Sequence, residues 1–197
     1  MFDGAVVCLG SGITSTTGNP IETIIDNKIL LTDMGNVITA GDEPSVACAE
    51  LAEAEITKQL RYLHIAGNAG VDSDVGYYFP NTEQVSILCE KRRGTWHTVR
   101  IDPVEVENTF ATVWIPHGTY PQQEGYAYVL LPGKTAEETK AYSEVPDVEI
   151  IESSEAVHAV RDRSMLGINF WEGYQCPQVK KKVNNLTFDC DEIFWFA

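Results

Sequence analysis

The chain has 197 residues, of which 44% are hydrophobic, which is enough for one large folded domain and argues against intrinsic disorder. Fourteen Lys and Arg residues against 29 Asp and Glu residues give a formal net charge of −15. A chain this acidic is a poor partner for nucleic-acid phosphates or an anionic lipid surface, so neither partner is expected. It has no apolar run long enough to cross a bilayer, and no basic and apolar leader follows Met1, so no signal peptide is predicted.

Alternating apolar residues predict β-strands through most of the chain. Short apolar or alternating runs lie at residues 5–9, 21–25, 85–89, 109–115 and 126–131. The last two runs are apolar on both faces, as the inner strands of stacked sheets are. Turn signals such as Gly18-Asn19-Pro20 and Pro132-Gly133 separate the runs. We therefore predict an all-β fold, a large antiparallel β-sandwich of the super-sandwich type that spans residues 1–197 as a single domain.

Two segments depart from the strand pattern and predict one or two short helices. Thr135, followed three residues later by Glu138, forms a capping box, so a helix should run from there to about Ser143 and end before Pro146. Residues 45–60 are rich in Ala, Glu and Leu, which favours a second helix. Their helical periodicity is only fair, and a β excursion is the alternative.

The cysteines are five in number and include no C-x-x-C pair. Cys8, Cys48 and Cys89 lie among apolar or small residues and are predicted to be buried thiols. A disulfide between Cys176 and Cys190 is the alternative left open, although a chain of this length does not need one.

No motif for a cofactor, a metal or a catalytic nucleophile has the required pattern. Gly10-Ser11-Gly12 follows a strand but lacks the third glycine of a dinucleotide loop. The spacing from Asp72 to Glu83 is that of a calcium loop, but Tyr77 stands where glycine is needed, which leaves only a looser oxygen-ligand cation site open. The histidines have no partner at zinc-ligand spacing, and for His117 a buried imidazole bonded to backbone is favoured over catalysis. We predict no catalytic residue, no metal site and no cofactor.

The turn that follows residues 85–90 carries Lys91, Arg92, Arg93 and Trp96, an unusual concentration of cations in so acidic a chain. Arginine matches the geometry of a carboxylate or sulfate, and tryptophan offers a platform for the face of a sugar ring. An ordinary charged hairpin with Trp96 packed into the core is the alternative. We take Arg92, Arg93 and Trp96 as candidate substrate-binding residues.

Several recognisable segments follow one another along the chain. They are Met1-Phe2-Asp3, Val6-Val7-Cys8-Leu9-Gly10-Ser11-Gly12-Ile13, Pro20-Ile21-Glu22-Thr23, Val75-Gly76-Tyr77-Tyr78-Phe79-Pro80, Arg93-Gly94-Thr95-Trp96, Trp114-Ile115-Pro116-His117-Gly118-Thr119, Tyr126-Ala127-Tyr128-Val129-Leu130-Leu131-Pro132 and Asn169-Phe170-Trp171. In this order they resemble a known family, the central β domain of the hyaluronate, chondroitin AC and xanthan lyases (polysaccharide lyase family 8). The resemblance covers nearly the whole chain, with the poorest fit at residues 32–62 and after about residue 172.

The resemblance implies cleavage of uronic-acid polysaccharides, such as hyaluronan, chondroitin or xanthan, by β-elimination. That reaction needs a group that neutralises the uronate carboxylate, a base that takes the C5 proton and an acid that protonates the leaving oxygen. In the family an Asn, a His, a Tyr and an Arg on a preceding helical toroid take these roles, and no position of this sequence matches them. The resemblance therefore implies a piece of a lyase β domain that is inactive alone.

The resemblance also implies partners, a location and a binding role. The partners are an anionic polysaccharide and a helical toroid catalytic domain on another chain, and the location is extracellular or periplasmic. Arg92, Arg93 and Trp96 match the family's turn after the strand at residues 85–90, where Arg93 or Arg92 would contact an anionic sugar group. A non-catalytic carbohydrate-binding module is the alternative function.

Overall fold

A computed structural model describes residues 4–30, 37–51, 54–67, 73–95, 104–163 and 165–171, with the backbone of residues 181–183 and 186–188. These residues form antiparallel sheets, one α-helix and a 3-10 helix at Cys48–Leu51. The predicted all-β fold is confirmed. In chain order the other elements are β1 (Val6–Ile13), β2 (Ile21–Leu30), β3 (Val37–Ala40), β4 (Val46–Ala47), β5 (Ile56–Ile65), β6 (Val75–Thr95), β7 (Glu105–Gly118), β8 (Glu124–Pro132), α1 (Ala136–Glu144), β9 (Val148–Ser153), β10 (Val157–Asp162), β11 (Met165–Phe170), β12 (Lys181–Val183) and β13 (Leu186–Phe188).

The long strand β6 organises an eight-stranded sheet. Along one edge β6 pairs first with β8, from Val75 to Tyr78, and then with β7, from Ser86 to Thr95. Its other edge pairs with β5, beyond which lie β3 and β4. β1 pairs with β8, and β2 pairs with β7. The sheet therefore has two branches on the same edge of β6, one formed by β8 and β1 and the other by β7 and β2.

A bulge in β6 separates the two branches. Leu60 of β5 pairs with Glu83, whereas Tyr62 pairs with Tyr78, so four residues of β6 stand opposite Arg61 alone. Thr82 in this bulge has a φ of 54°, a left-handed conformation that bends the strand. Strand pairing is therefore interrupted at the point where β6 changes its partner from β8 to β7.

The main core lies between the two branches. Fully buried side chains of β6, β5 and β7 meet there with Tyr128 of β8 and Leu30 of β2, in one apolar cluster. The Tyr77 hydroxyl of β6 donates to the Asp26 carboxylate of β2 across this cluster. The curved sheet thus encloses its own core.

A second, smaller layer covers the outer face of β1 and β8. It consists of the three-stranded sheet β9–β10–β11, and α1 packs beside it against β5 and β6. Val129 and Leu131 pack there against Val148 and Val160, while Tyr128 faces the main core. Strand β8 is therefore buried on both faces, as its apolar sequence predicts.

Helix α1 confirms the predicted capping box. The Glu138 backbone N–H donates to Thr135 Oγ1 at 3.2 Å, and the Thr135 N–H donates back to the Glu138 carboxylate at 2.9 Å. The helix ends at Glu144, ahead of Pro146. It packs over Gly76 of β6, where a Cβ atom would overlap the Thr139 side chain.

The helix predicted over residues 45–60 is wrong, and the alternative, a β excursion, is confirmed. The described residues there form β4, the short 3-10 helix and the first half of β5. In β5 the residues from Ile56 to Leu60 alternate between more buried and exposed positions, and each pairs with a residue of β6. Pairing with a central strand outweighs the helical preference of Ala, Glu and Leu.

Cys48 and Cys89 form a disulfide, so the prediction of free thiols is wrong for this pair. Both are buried as expected, but they are 41 residues apart in sequence, and no spacing rule could have paired them. Cys8 is a free thiol and is half-buried. Cys176 and Cys190 lie outside the described residues. No helix in the described part of the chain is long and apolar enough to cross a membrane.

Candidate functional site

The predicted cationic residues lie within β6 and pair with β7, so the expectation that they form a turn after residues 85–90 is wrong. We call this segment the cationic strand end (Lys91, Arg92 and Arg93). Arg93 pairs with Glu107 of β7, and Arg92 pairs with Asn108. Because successive strand residues point to opposite faces, Arg92 lies on one face of the sheet and Arg93 on the other. Trp96 lies outside the described residues.

Arg93 and Lys91 share the carboxylate of Glu107. Arg93 Nε donates to Glu107 Oε2 at 2.6 Å, and Lys91 Nζ lies 3.4 Å from Glu107 Oε1. Hydrogen bonds from Arg93 and then from Lys91 hold the pKa of the Glu107 carboxyl below its usual range. The Arg93 side chain remains 79% exposed. Glu105, two residues before Glu107 in β7, lies on the same face, so two cations and two carboxylates share it.

Arg92 is anchored on the opposite face. Its Nε donates to Glu90 Oε1 at 2.7 Å, Nη1 donates to Asn27 Oδ1 at 3.1 Å, and Nη2 donates to Thr112 Oγ1 at 2.8 Å. The guanidinium lies 4.9 Å from the centre of the Phe110 ring. Arg92 thereby connects β6 to β7 and β2, and one donor on each of its three nitrogens is engaged within the sheet.

A shallow depression of about 290 Å³ opens beside these side chains. A role for Arg92, Arg93 and Trp96 in substrate binding stays a prediction. The depression is lined by Arg92, Arg93, Gly94, Thr95, Val106, Asn108 and Phe110.

The histidine singled out in the sequence holds strands together. His117 Nε2 lies 2.8 Å from Thr23 Oγ1, which links β7 to β2, and burial lowers the pKa of His117. The partner is thus a side-chain hydroxyl and not the backbone group that was expected. In the described ranges, no three His, Cys, Asp or Glu side chains are grouped as metal ligands.

Residues of the suggested cation loop do not come together where they are described. Asp74 accepts the Gly67 backbone N–H at 2.7 Å and lies 3.3 Å from His64 Nε2, a buried imidazole. Glu83 instead lies beside Glu124, in a separate cavity. Asp72 lies outside the described residues.

Sequence analysis missed the polar pairs that connect distant strands. One is the bond from Tyr77 to Asp26 in the main core, where burial first and the Asp26 charge second raise the pKa of Tyr77. Another joins Ser11 Oγ to His158 Nε2 at 2.9 Å between the two sheets. These partners are 51 and 147 residues apart, so no sequence periodicity could indicate them.

The antiparallel sheets form an all-β sandwich fold. A sequence model of the polysaccharide lyase family 8 super-sandwich domain matches residues 1–143, and the chain therefore belongs to this family.

The relatives that the chain resembles are large polysaccharide lyases. It is 38% identical to xanthan lyase from a Bacillus species over 87% of this chain and 19% of that protein. It is 29% identical to hyaluronate lyase HylB of Enterococcus faecalis, over 87% of this chain and 17% of that protein. The solved structure of Paenibacillus xanthan lyase superposes with a TM-score of 0.81 at 34% identity, over 95% of this chain and 18% of that chain. The chain therefore spans about a fifth of the length of these relatives.

Proposed function

We propose that residues 1–197 act as one β-sandwich domain that forms a wall of the substrate cleft of a polysaccharide lyase. The match to the super-sandwich domain over residues 1–143 carries this proposal. The reaction is β-elimination on a uronic-acid polysaccharide such as hyaluronan, chondroitin or xanthan. The resemblance assigns the base, the acid and the carboxylate-binding Asn to a helical toroid, which the nine-residue α1 cannot form. That domain is therefore the catalytic partner, and this chain is inactive alone.

In this proposal Arg93 receives an anionic group of the polysaccharide. A polyanion is repelled at long range by a chain of net charge −15, so binding needs a local cationic surface. Arg93 is exposed and donates to Glu107 through Nε. Its two Nη groups have the geometry to donate to a second carboxylate, that of the polysaccharide. Arg92 positions the strand through Asn27 and Thr112, and Trp96 is the proposed platform for a sugar ring.

Affinity electrophoresis in gels that contain hyaluronan, chondroitin sulfate or xanthan tests this contact. Arg93→Ala should weaken retardation up to about fivefold, the value of one exposed ion pair. Arg161→Ala is the matched control, because Arg161 is exposed, pairs with Glu149 on β9 and carries the same charge. Equal retardation of the two variants would disprove the role of Arg93.

Absorbance of the unsaturated uronate product tests the catalytic assignment. The isolated chain should give no increase with any of the three polymers, and turnover should appear only with a helical catalytic domain present. Turnover by the isolated chain would overturn the proposal. Retardation that is never accompanied by turnover, even with that domain added, would identify the alternative, a carbohydrate-binding module.

We also propose that the protein works outside the cytoplasm, in an extracellular or periplasmic space. The Cys48–Cys89 disulfide supports this location, because such bonds persist in oxidising compartments. Its polymeric substrate supports it as well, since polysaccharides of this size are degraded outside the cell membrane. Fractionation of producing cells, followed by thiol labelling of each fraction, should recover the protein outside the cytoplasm with Cys48 and Cys89 unlabelled.

A further inference from the structure

A groove of about 410 Å³ lies where β1 meets the turn between β9 and β10. The pairing of β1 with β8 shifts register between Gly10 and Ile13, and Gly12 has a φ of 72°, so the backbone bulges at this point. A Cβ atom at Gly12 would collide with the carboxylate of Glu155, which lies directly over the bulge. The positive φ therefore favours glycine here, and the Glu155 side chain occupies the space that a Cβ atom would take.

Trp171 forms one side of this groove and keeps a broad face open. The residue is 59% exposed. The Trp171 backbone N–H donates to Ala156 O at 2.8 Å, and the indole meets the His158 ring edge to face, with ring centres 5.4 Å apart. A tryptophan held in this way offers a flat apolar surface with little entropy left to lose on binding.

Hydrogen-bonding groups surround the open face of Trp171. Ser11 Oγ lies 2.9 Å from His158 Nε2, and burial lowers the pKa of His158, so this imidazole is neutral near pH 7. The Glu155 carboxylate accepts hydrogen bonds and a hydroxyl such as that of Ser11 can donate or accept. An aromatic plane beside neutral and acceptor groups matches a pyranose ring, which has an apolar face and a rim of hydroxyls.

The charge of the surroundings limits which sugar can bind. Ser11 also lines a second cavity, of about 430 Å³, together with Glu83, Glu124, Asn81 and Gln123 among others. The carboxylates Glu83, Glu124 and Glu155 would oppose a uronate or sulfate group, because like charges in a cleft repel. The groove therefore differs in its preference from the cationic strand end.

We propose that this groove is a second glycan-binding site, which holds a neutral hexose residue stacked on Trp171 and bonded through Ser11 and Glu155. It would bind an uncharged portion of a polysaccharide and does not depend on Arg93. Neither the bulge of β1 nor Trp171 belongs to the cationic strand end, so the two sites can be tested separately.

The test follows the tryptophan indole N–H signals by NMR during titration of the full chain. The probes are two neutral oligosaccharides, cellotetraose and mannotetraose, and one anionic oligosaccharide, a hyaluronan tetrasaccharide. At least one neutral probe should shift the Trp171 signal with saturation in the millimolar range, and the hyaluronan tetrasaccharide should leave it in place. Failure of both neutral probes, or an equal response to the anionic one, would overturn the proposal.

Variants identify the residues that make the contact. Trp171→Ala should weaken binding of the neutral probe about tenfold, measured by calorimetry, and Trp171→Phe should recover part of the loss. Tyr120→Ala is the matched control, since Tyr120 is 63% exposed and does not line the groove. The affinity of this variant for the neutral probe should be unchanged. If Trp171→Ala alters the fold by circular dichroism, Trp171→Phe and Ser11→Ala decide the question.

Charge exchange separates this site from the cationic strand end. Glu155→Gln should retain the neutral probe within a few-fold and improve binding of the hyaluronan tetrasaccharide at Trp171. Arg93→Ala should leave the affinity for the neutral probe unchanged. A loss of neutral-sugar binding in Arg93→Ala would place the contact at the cationic strand end and would refute a separate groove.

Discussion

Gly76 lies in β6 directly beneath α1, where a Cβ atom would come within 2.8 Å of Thr139 Cγ2 and overlap the Thr139 hydroxyl. Thr139 is fully buried, and its hydroxyl donates to Thr135 O at 2.8 Å, so it cannot rotate away without losing that bond. Gly76→Ala should therefore lower the free energy of unfolding by about 1–3 kcal/mol, measured by urea denaturation.

Gly94 provides the control in the same strand. A Cβ atom at Gly94 meets nothing within 4 Å. Gly94→Ala should therefore change the free energy of unfolding by no more than about 0.5 kcal/mol. Equal destabilisation by the two substitutions would show that strand propensity, and not the contact with α1, limits position 76.

Glu83 makes stability depend on pH in a direction opposite to that of a salt-bridged carboxylate. Burial, and then the charge of Glu124, raise the pKa of the Glu83 carboxyl. The favourable contribution of Glu83 to the free energy of unfolding is complete below the pKa that this carboxyl has in the unfolded chain. It is lost as the pH rises through the higher pKa of the carboxyl in the folded protein. Glu83→Gln should raise the free energy of unfolding at pH 7 by up to about 1 kcal/mol and have no effect near pH 3. Urea denaturation at both pH values checks this, and a benefit that persists at acid pH would contradict the electrostatic cause.

At the scale of elements, α1 depends on its N-terminal cap. The Thr135 side chain and the Glu138 carboxylate satisfy one another's backbone N–H groups. The hydrogen bond from the Thr135 backbone N–H, and next the charge of Lys134, hold the pKa of the Glu138 carboxyl below its usual range. Thr135→Ala should lower the free energy of unfolding by about 1 kcal/mol, and Thr135→Ser should restore most of it. Thermal unfolding followed by circular dichroism provides the measurement. A loss that serine fails to restore would assign the effect to packing of the threonine methyl group.

The elements show how far sequence reasoning reaches. The capping box and the two-sided apolar pattern of β8 are local, and both were predicted correctly. A helix was the wrong prediction for the segment 45–60, because its local preference is helical. Its strand is imposed by pairing with β6, which begins where Ile56 lies opposite Ile87 and continues along β5. The same limit applies to the candidate site. The cluster Lys91–Arg93 was visible in the sequence, but the division of Arg92 and Arg93 between two faces, with Glu107 and Thr112 as partners, emerges only from the register of β6 and β7.

At the scale of the whole molecule, the main core depends on the closure of a single sheet on itself. The strand order β6–β5–β3–β4 places β4 three strands from β6, about 14 Å away in a flat sheet. Yet the Cα atoms of Cys48, which follows β4, and Cys89 of β6 are 5.7 Å apart. The segment after β4 therefore crosses back over β5 to cover the core, with both cysteines inside it.

The disulfide should accordingly stabilise the closed sheet as a whole. It links residues 41 apart in sequence, and the lost chain entropy of the unfolded state sets an upper value of about 4 kcal/mol. The double variant Cys48→Ala/Cys89→Ala should lose about 2–4 kcal/mol in oxidising buffer, measured by urea denaturation. Reductant should destabilise the parent protein by a similar amount, because it opens the same loop. Cys8→Ala is the control, since Cys8 is a free thiol and the effect of reductant should persist in that variant. If reductant destabilised the double variant as strongly as the parent, a disulfide other than Cys48–Cys89 would be responsible for the effect. The Cys48–Cys89 bond would then contribute nothing measurable to the stability of the sheet.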